Sequence, residues 1–186
     1  MGTPDVNAGS ESTSVAQKRR GATVAFVSAL STAAGFAVFF SLQIPGVSAG
    51  VPLLFSAEWI PRLGVNFALR LDGLSLLFSL LISGIGVLVV LYSHGYFKKH
   101  SDHARLQWLL LAFMLSMLGL VNADNIIVLF VFWELTTITS FLLVGFDRES
   151  EKARASALQA LLVTGGGGLA LLVGLLMLGN ASDRYA

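Results

Sequence analysis

Five stretches of this chain are apolar for long enough to cross a bilayer, and the polar residues fall almost wholly between them. A crossing helix needs about 20 predominantly apolar residues. On that basis the spans are read at about 22–42, 74–92, 106–121, 125–146 and 155–178. Lys18, Arg19 and Arg20 precede the first run, a charged start that a signal peptide also has. The run exceeds the length of a signal core, and no small-x-small site closes it, so a spanning helix ending before Pro45-Gly46 is expected. Ahead of it, residues 1–20 are polar, rich in Ser, Thr, Gly and Ala, and without apolar periodicity. Such a segment buries too little surface to order itself and is expected to be disordered.

The pattern changes between the first two spans. Val65, Phe67, Leu69 and Leu71 alternate with Asn66, Ala68 and Arg70, the period of two of a half-buried strand. Residues 61–64 would supply the turn of a hairpin with 56–60 as its first arm, and Trp59 suits the aromatic belt at the lipid headgroups. Asp72 stands directly before the second span, as an N-cap would. Ser79 and Ser83 lie four apart with Gly84 and Gly86 alongside, a small and mildly polar face suited to helix contact in lipid.

The third span turns through Asn122-Ala123-Asp124 straight into the fourth, which makes the two antiparallel neighbours and places Asp124 to cap the fourth helix. In the fifth, residues 165–168 are all glycine, and in water each weakens a helix by about 1 kcal/mol relative to Ala. A phosphate-binding loop needs a flanking strand and a following Lys-Ser/Thr, which are missing. Gly166, Ala170 and Gly174 instead recur every four residues as a packing face. A locally opened backbone near an ion path is the alternative.

Composition agrees with this pattern. The chain is 55% hydrophobic and 12% charged with mean hydropathy +0.76, against about 25% charged residues in soluble proteins. The fold expected is an all-α, multi-pass transmembrane helix bundle of about five spans with a short extracytoplasmic hairpin-like loop. Without cysteine, disulfides and thiol chemistry are excluded. Lys18, Arg19, Arg20, Lys98, Lys99, Arg105, Arg148, Lys152 and Arg154 fall on one side; Arg62, Arg70 and Arg184 fall on the other. The positive-inside rule then puts the N-terminus in the cytoplasm. That placement accounts for the basic residues without nucleic-acid binding. His100 and His103 are spaced to seed a metal site, but no third ligand is placed to complete it, and a solvated basic loop is expected there.

Within the five spans Glu134 is the sole charge. A carboxylate at mid-bilayer costs about 2.5–3.5 kcal/mol on insertion scales and usually marks an ion or proton path. The structural alternative is a Glu hydrogen-bonded to a neighbouring helix. Thr137 lies one turn on, on nearly the same face; Thr136, Thr139 and Ser140 spread polarity around it; Trp133 and Phe130 wall it. Burial favours the neutral carboxyl and a nearby cation the charged one, and a group between those pulls can take up and release a proton. No Lys, Arg or His lies in any span, so the counter-charge must come from another chain or a continuation of this one. Glu134 is the candidate for proton transfer, with Thr137, Ser140, Ser79 and Ser83 as candidate path lining. No cofactor loop, nucleophile triad or complete metal cluster is read.

Arg70-Leu71-Asp72-Gly73-Leu74-Ser75, Leu91-Tyr92-Ser93 with Gly95-Tyr96, Ala123-Asp124-Asn125, and Trp133-Glu134-Leu135 through Ser140 to Phe146 resemble the large A-type subunit of Mrp multisubunit sodium/proton antiporters. That subunit is related to the antiporter-like membrane subunits of respiratory NADH:quinone oxidoreductase. The resemblance covers about 22–180, with the motifs in family order and at family spacing. It implies that Glu134 corresponds to a helix-borne glutamate used in proton transfer, working with a lysine two helices further on. It also implies other membrane subunits as partners, protons and sodium as cargo, and the cell membrane as location. The family's first span is replaced here by the polar 1–17 segment, and the lysine-bearing helices lie beyond the chain's end, so an N-terminal fragment is expected. The leading expectation is a cation/proton antiporter subunit, favoured by the Thr-rich stretch after Glu134 and by 76–84. The alternatives are a subunit of a redox-driven proton pump and a non-transporting assembly bundle.

Overall fold

The computed structural model describes residues 6–60, 65–96, 102–147 and 149–182. Five helices and one hairpin follow in the order α1 (Val6–Ser48), β1 (Leu53–Ile60), β2 (Val65–Leu71), α2 (Gly73–Tyr96), α3 (His103–Asn122), α4 (Ile126–Val144) and α5 (Glu151–Ser182). Each helix carries a segment long and apolar enough to cross a membrane: Arg20–Ser48, Gly73–Tyr96, His103–Asn122, Ile126–Val144 and Glu151–Asn180. The fold is a multi-pass helical bundle, as the hydropathy pattern leads one to expect.

Consecutive helices pack on one another, and α1 also closes back on α3. The core therefore sits between α1, α2 and α3, around Ala29, Ala33, Phe40, Leu76, Val90, Leu111 and Met114. Ala25, Ala29 and Ala33 are buried at intervals of four on α1, one small-residue face that lets backbones approach where lipid supplies no hydrophobic drive. Leu77, Leu81 and Leu88 point outward from α2, as suits a helix whose surroundings are hydrocarbon.

α1 departs from expectation at both ends. It begins at Val6, inside the segment expected to be disordered, and runs past Pro45 to Ser48. Extending an existing helix adds one hydrogen bond per residue ordered, far cheaper than starting one. Pro45 falls in the last turn, where its missing N–H forfeits a single ladder bond. The helix then closes on Gly50, at φ +83°. The Val51 N–H donates to Gly46 O at 3.2 Å and the Gly50 N–H to Val47 O at 3.0 Å, the paired bonds of a Schellman cap.

The hairpin's first arm begins at Leu53, three residues before the expected start, and its turn (61–64) lies outside the described residues. The strands pair antiparallel from Leu53↔Leu71 to Ile60↔Val65, with an irregularity between Glu58 and Ile60. β1 is exposed on both faces, whereas β2 buries Val65 and Leu71. Trp59, half-exposed, meets Phe67 edge-on at 6.3 Å. β2 is held to the α3–α4 connection: the Asp124 N–H donates to Ala68 O at 3.0 Å, and Leu69 bridges Ala123.

At the start of α2, Asp72 Oδ1 accepts the N–H groups of Leu74 and Ser75 at 3.1 and 3.0 Å. The Ser75 hydroxyl accepts the Asp72 N–H at 2.7 Å in return, a reciprocal arrangement like a capping box. Asp124 does not cap α4, contrary to expectation. Asn125 does, its Oδ1 accepting from Ile127 N at 2.8 Å and Val128 N at 3.4 Å. The extended backbone of Asn125 makes it the last residue outside the helix, while the backbone of Asp124 is engaged by β2.

Two predictions concern this scaffold. Gly119 lies against the Phe132 ring, where an added Cβ has no room, while Gly84 faces open space. Overpacking of this kind costs about 1–3 kcal/mol, so Gly119→Ala should lower the thermal midpoint of the detergent-solubilised protein and Gly84→Ala should leave it unchanged. The Asp72 carboxyl is held below the usual carboxylate range, chiefly by the Ser75 N–H, against desolvation that pulls the other way. Its folded-state value is depressed, so the cap contributes stability above the unfolded-state value and loses it as pH falls through the folded-state value. Asp72→Ala should therefore lower the midpoint at neutral pH, and the gap to wild type should close in the acid range below the ordinary carboxylate value.

Candidate functional site

α4 places Glu134 midway along its length, half-buried between exposed neighbours Trp133 and Leu135. The hydroxyls that follow are bonded to the helix itself. Thr136 Oγ1 donates to Trp133 O at 2.7 Å, Thr137 Oγ1 to Trp133 O at 3.3 Å, Thr139 Oγ1 to Leu135 O at 2.7 Å, and Ser140 Oγ to Thr136 O at 2.7 Å. Bonds of this kind let hydroxyl residues sit in a hydrocarbon-embedded helix. Because each hydroxyl spends its proton on a carbonyl, its lone pairs remain as acceptors. Thr137 is buried and Ser140 half-buried.

The carboxyl differs from the hydroxyls. Among the described residues Glu134 Oε1 is buried without a hydrogen-bond partner, as are His103 Nδ1, Arg105 Nη1, Gln107 Oε1 and Asn125 Nδ2. The Glu134 oxygen lies against the backbone of α5 at Gly168, where an added Cβ would collide with it. α4 packs on α3 and α5, while α2 packs on α1 and α3. The candidate lining residues accordingly separate into two places.

Ser79 and Ser83 are fully buried on α2. Asn122 Nδ2 donates to Ser79 Oγ at 2.9 Å and to Leu118 O at 2.8 Å, and Ser83 Oγ donates to Ser79 O at 2.7 Å. Further along the same interface Gln107 Nε2 donates to Ser93 Oγ at 3.0 Å. Beyond it His94 Nδ1 and His103 Nε2 share a bond of 3.0 Å, with Phe26 of α1 stacked on His94 at 3.8 Å. Asn122, Gln107 and His94 escape a search of the spans for charge. A neutral amide such as Gln107, standing inside an apolar run, is the signal that such a search passes over.

His103 is 3% exposed and bonded to His94, so it does not belong to a solvated loop as expected. Lys98, Lys99 and His100 lie outside the described residues, as do Arg62, Arg148 and Arg184 and the side chains of Lys18 and Arg19. Among the described residues no group of three His, Asp or Glu side chains is placed to hold a metal ion.

The expected packing face of α5 meets no other helix among the described residues. Gly166 and Gly174 have nothing within 4 Å of a built Cβ, and Ala170 is exposed. Gly168 is the glycine that meets α4. A repeat of four selects a helix face, and only the docking of the helix decides which face is covered.

Two family models match the chain. One, described as NADH-Ubiquinone oxidoreductase (complex I), chain 5 N-terminus, covers residues 59–106. The other, described as NADH:quinone oxidoreductase/Mrp antiporter, TM, covers residues 123–185, which include Glu134. The A/B subunit of a probable K(+)/H(+) antiporter of Rhizobium meliloti (strain 1021) is 49% identical over 141 residues, which are 76% of this chain and 14% of that protein. The A1 subunit of the Na(+)/H(+) antiporter of Staphylococcus haemolyticus (strain JCSC1435) is 47% identical over 149 residues, 80% of this chain and 19% of that protein. The chain thus spans less than a fifth of the length of these relatives. Among solved structures, the Mrp complex from Dietzia sp. DQ12-45-1b aligns with a TM-score of 0.69 and 34% identity, covering 86% of this chain and 20% of that one. The membrane-bound sulfane sulfur reductase, an archaeal respiratory membrane complex, aligns at 0.67 and 20% identity over 91% of this chain and 27% of its own, a likeness of fold alone.

Five bilayer-length helices, with neutral polar groups bonded within and between them and one acid set in the fourth, define a multi-pass membrane protein of antiporter-subunit architecture. The chain belongs to the family of membrane subunits shared by NADH:quinone oxidoreductase and Mrp antiporters, and it is similar there to the A-type subunits.

The Ser79–Asn122 bond yields a prediction of its own. Interhelical side-chain bonds in membranes are worth about 0.6 kcal/mol and at most about 1.7. A double-mutant cycle of Ser79→Ala and Asn122→Ala, read by thermal unfolding in detergent, should give a coupling energy in that range.

Proposed function

We propose that this chain supplies the proton-handling glutamate of a cation/proton antiporter subunit, with Glu134 taking up and releasing the proton exchanged for sodium. One observation carries the reading: among the described residues Glu134 Oε1 is the carboxyl oxygen that is buried, at mid-span, without a hydrogen-bond partner. An acid kept to hold helices together would be bonded to a neighbouring helix, because an unsatisfied polar atom in that setting costs several kcal/mol. An acid kept to exchange a proton gains from an oxygen left open. Thr137 and Ser140 extend the path along α4 through their free lone pairs, whereas Ser79 serves the α2–α3 contact and Ser83 bonds α2 itself.

The relatives' names include both sodium and potassium as the cation; sodium is the reading carried by the resemblance of motifs. The counter-charge is a lysine outside this chain, and other membrane subunits of a multisubunit complex surround it. Arg20 opens the first crossing segment, and Arg105, Lys152 and Arg154 lie near the starts of α3 and α5 on the same side, with Arg70 at the other, before α2. The more basic side is cytoplasmic, in the plasma membrane, by the positive-inside rule. A redox-driven pump would use the same carboxyl chemistry, but the curated relatives at 47–49% identity are antiporter subunits.

The test is Glu134→Gln in the full-length protein within its complex, assayed as cation-dependent proton movement in membrane vesicles. A positioned acid or base contributes about 10²–10⁴-fold to proton-transfer chemistry. Exchange should therefore fall by roughly 100-fold or more, with assembly retained. Undiminished exchange would favour the assembly-bundle alternative.

A further inference from the structure

In the run of four glycines on α5, residues 165–168, three have open space where a Cβ would stand and one has none. At Gly168 an added Cβ would run into Glu134 Oε1, with the carboxyl carbon at 3.3 Å and Trp133 Nε1 at 3.4 Å. Gly168 is buried, and Gly166 and Gly167 are exposed. So α5 approaches the acid of α4 with bare backbone. The atom it approaches is the same Oε1 that is buried and unpartnered.

We infer that Gly168 is a positioning residue for Glu134. Having no side chain, it leaves the space between α4 and α5 in which Oε1 lies, so that oxygen is kept from lipid without being tied to a donor. This role rests on the reading of Glu134 as the proton carrier. It gives the glycine run a purpose that a four-residue packing repeat does not. The repeat runs through Gly166 and Gly174, on the uncovered face, whereas Gly168 is offset from it and covered.

What must move is different at Gly168 and at Gly119. At Gly119 a Cβ meets the Phe132 ring, which is itself packed edge-on against Phe67 at 6.1 Å. At Gly168 the first obstacle is the far end of a flexible side chain, which can turn to another rotamer. Gly168→Ala also replaces a poor helix former with the best one. The substitution therefore displaces the carboxyl while leaving α5 helical and docked.

The experiment uses the full-length protein in its assembled complex, comparing Gly168→Ala with Gly166→Ala and Gly167→Ala. Proton–cation exchange is measured across pH in membrane vesicles. The Glu134 carboxyl is titrated by infrared difference spectroscopy, its band identified by loss in Glu134→Gln. Displacing a reacting group by about 1 Å can cost on the order of 100-fold. Gly168→Ala should assemble normally, lose roughly 10–100-fold of exchange at the wild-type optimum, and shift the pH profile and the carboxyl titration together. The two neighbouring substitutions should do none of this. Glu134→Asp retracts the carboxyl by one methylene, so Gly168→Ala should cost less in that background. A Gly168→Ala complex with wild-type pH profile and carboxyl titration overturns the inference. So does a loss of assembly or exchange that is equally large in the Glu134→Asp background, since that marks a glycine that only spaces helices. If instead Glu134→Gln retains full exchange, the proton-carrier reading fails, and the carboxyl titration still reports separately whether Gly168 positions the acid.

Discussion

The structure depends first on one requirement, that polar groups inside a bilayer find their partners within the protein. The backbone meets it by forming helices at every crossing. The hydroxyls of α4 meet it by bonding the carbonyls one turn back. The amides of Asn122 and Gln107 meet it by reaching across to serines of α2. Glu134 Oε1 falls outside this pattern, as do His103 Nδ1, Arg105 Nη1, Gln107 Oε1 and Asn125 Nδ2 among the described residues, and of these groups it is the one carboxyl.

The second constraint is close approach. With no hydrophobic drive between helices in lipid, contact depends on how near two backbones can come. Ala25, Ala29 and Ala33 provide that on α1, Gly119 beneath Phe132 on α3, and Gly86 beside Met114 on α2. Gly168 works by the same geometry and faces a carboxyl where the others face apolar side chains. The bundle thus uses small residues both to join its helices and to hold open the space around its acid.

Outside the spans, the hairpin joins three helices at one end of the bundle. β2 lies on α2, α3 and α4 and shares backbone bonds with the α3–α4 connection. The reciprocal cap of Asp72 and Ser75 begins α2 directly after β2, and Asn125 begins α4 directly after the bridged Ala123 and Asp124. The starts of α2 and α4, and with α4 the direction in which Glu134 points, are in this way tied to a single small sheet.

Hydropathy and composition alone were sufficient for the five crossings, because a span is a local property: enough consecutive apolar residues to match a hydrocarbon layer. The alternation from Val65 to Leu71, the cap at Asp72 and the singular acid at 134 were legible for the same reason, each lying within a few residues of sequence. What the chain alone did not decide was which residues meet. It placed the α4 cap one residue early at Asp124, chose the uncovered face of α5 through Gly166 and Gly174, grouped Ser79 and Ser83 with Glu134 although Ser79 bonds α3 and Ser83 its own helix, and left His103 in a solvated loop. In each case several local choices had nearly equal propensity. The outcome was settled by contacts between residues far apart in the chain, such as Ala68 with Asp124, Ser79 with Asn122, and Gly168 with Glu134. Such contacts exist only once the helices have docked, so tertiary structure decided them.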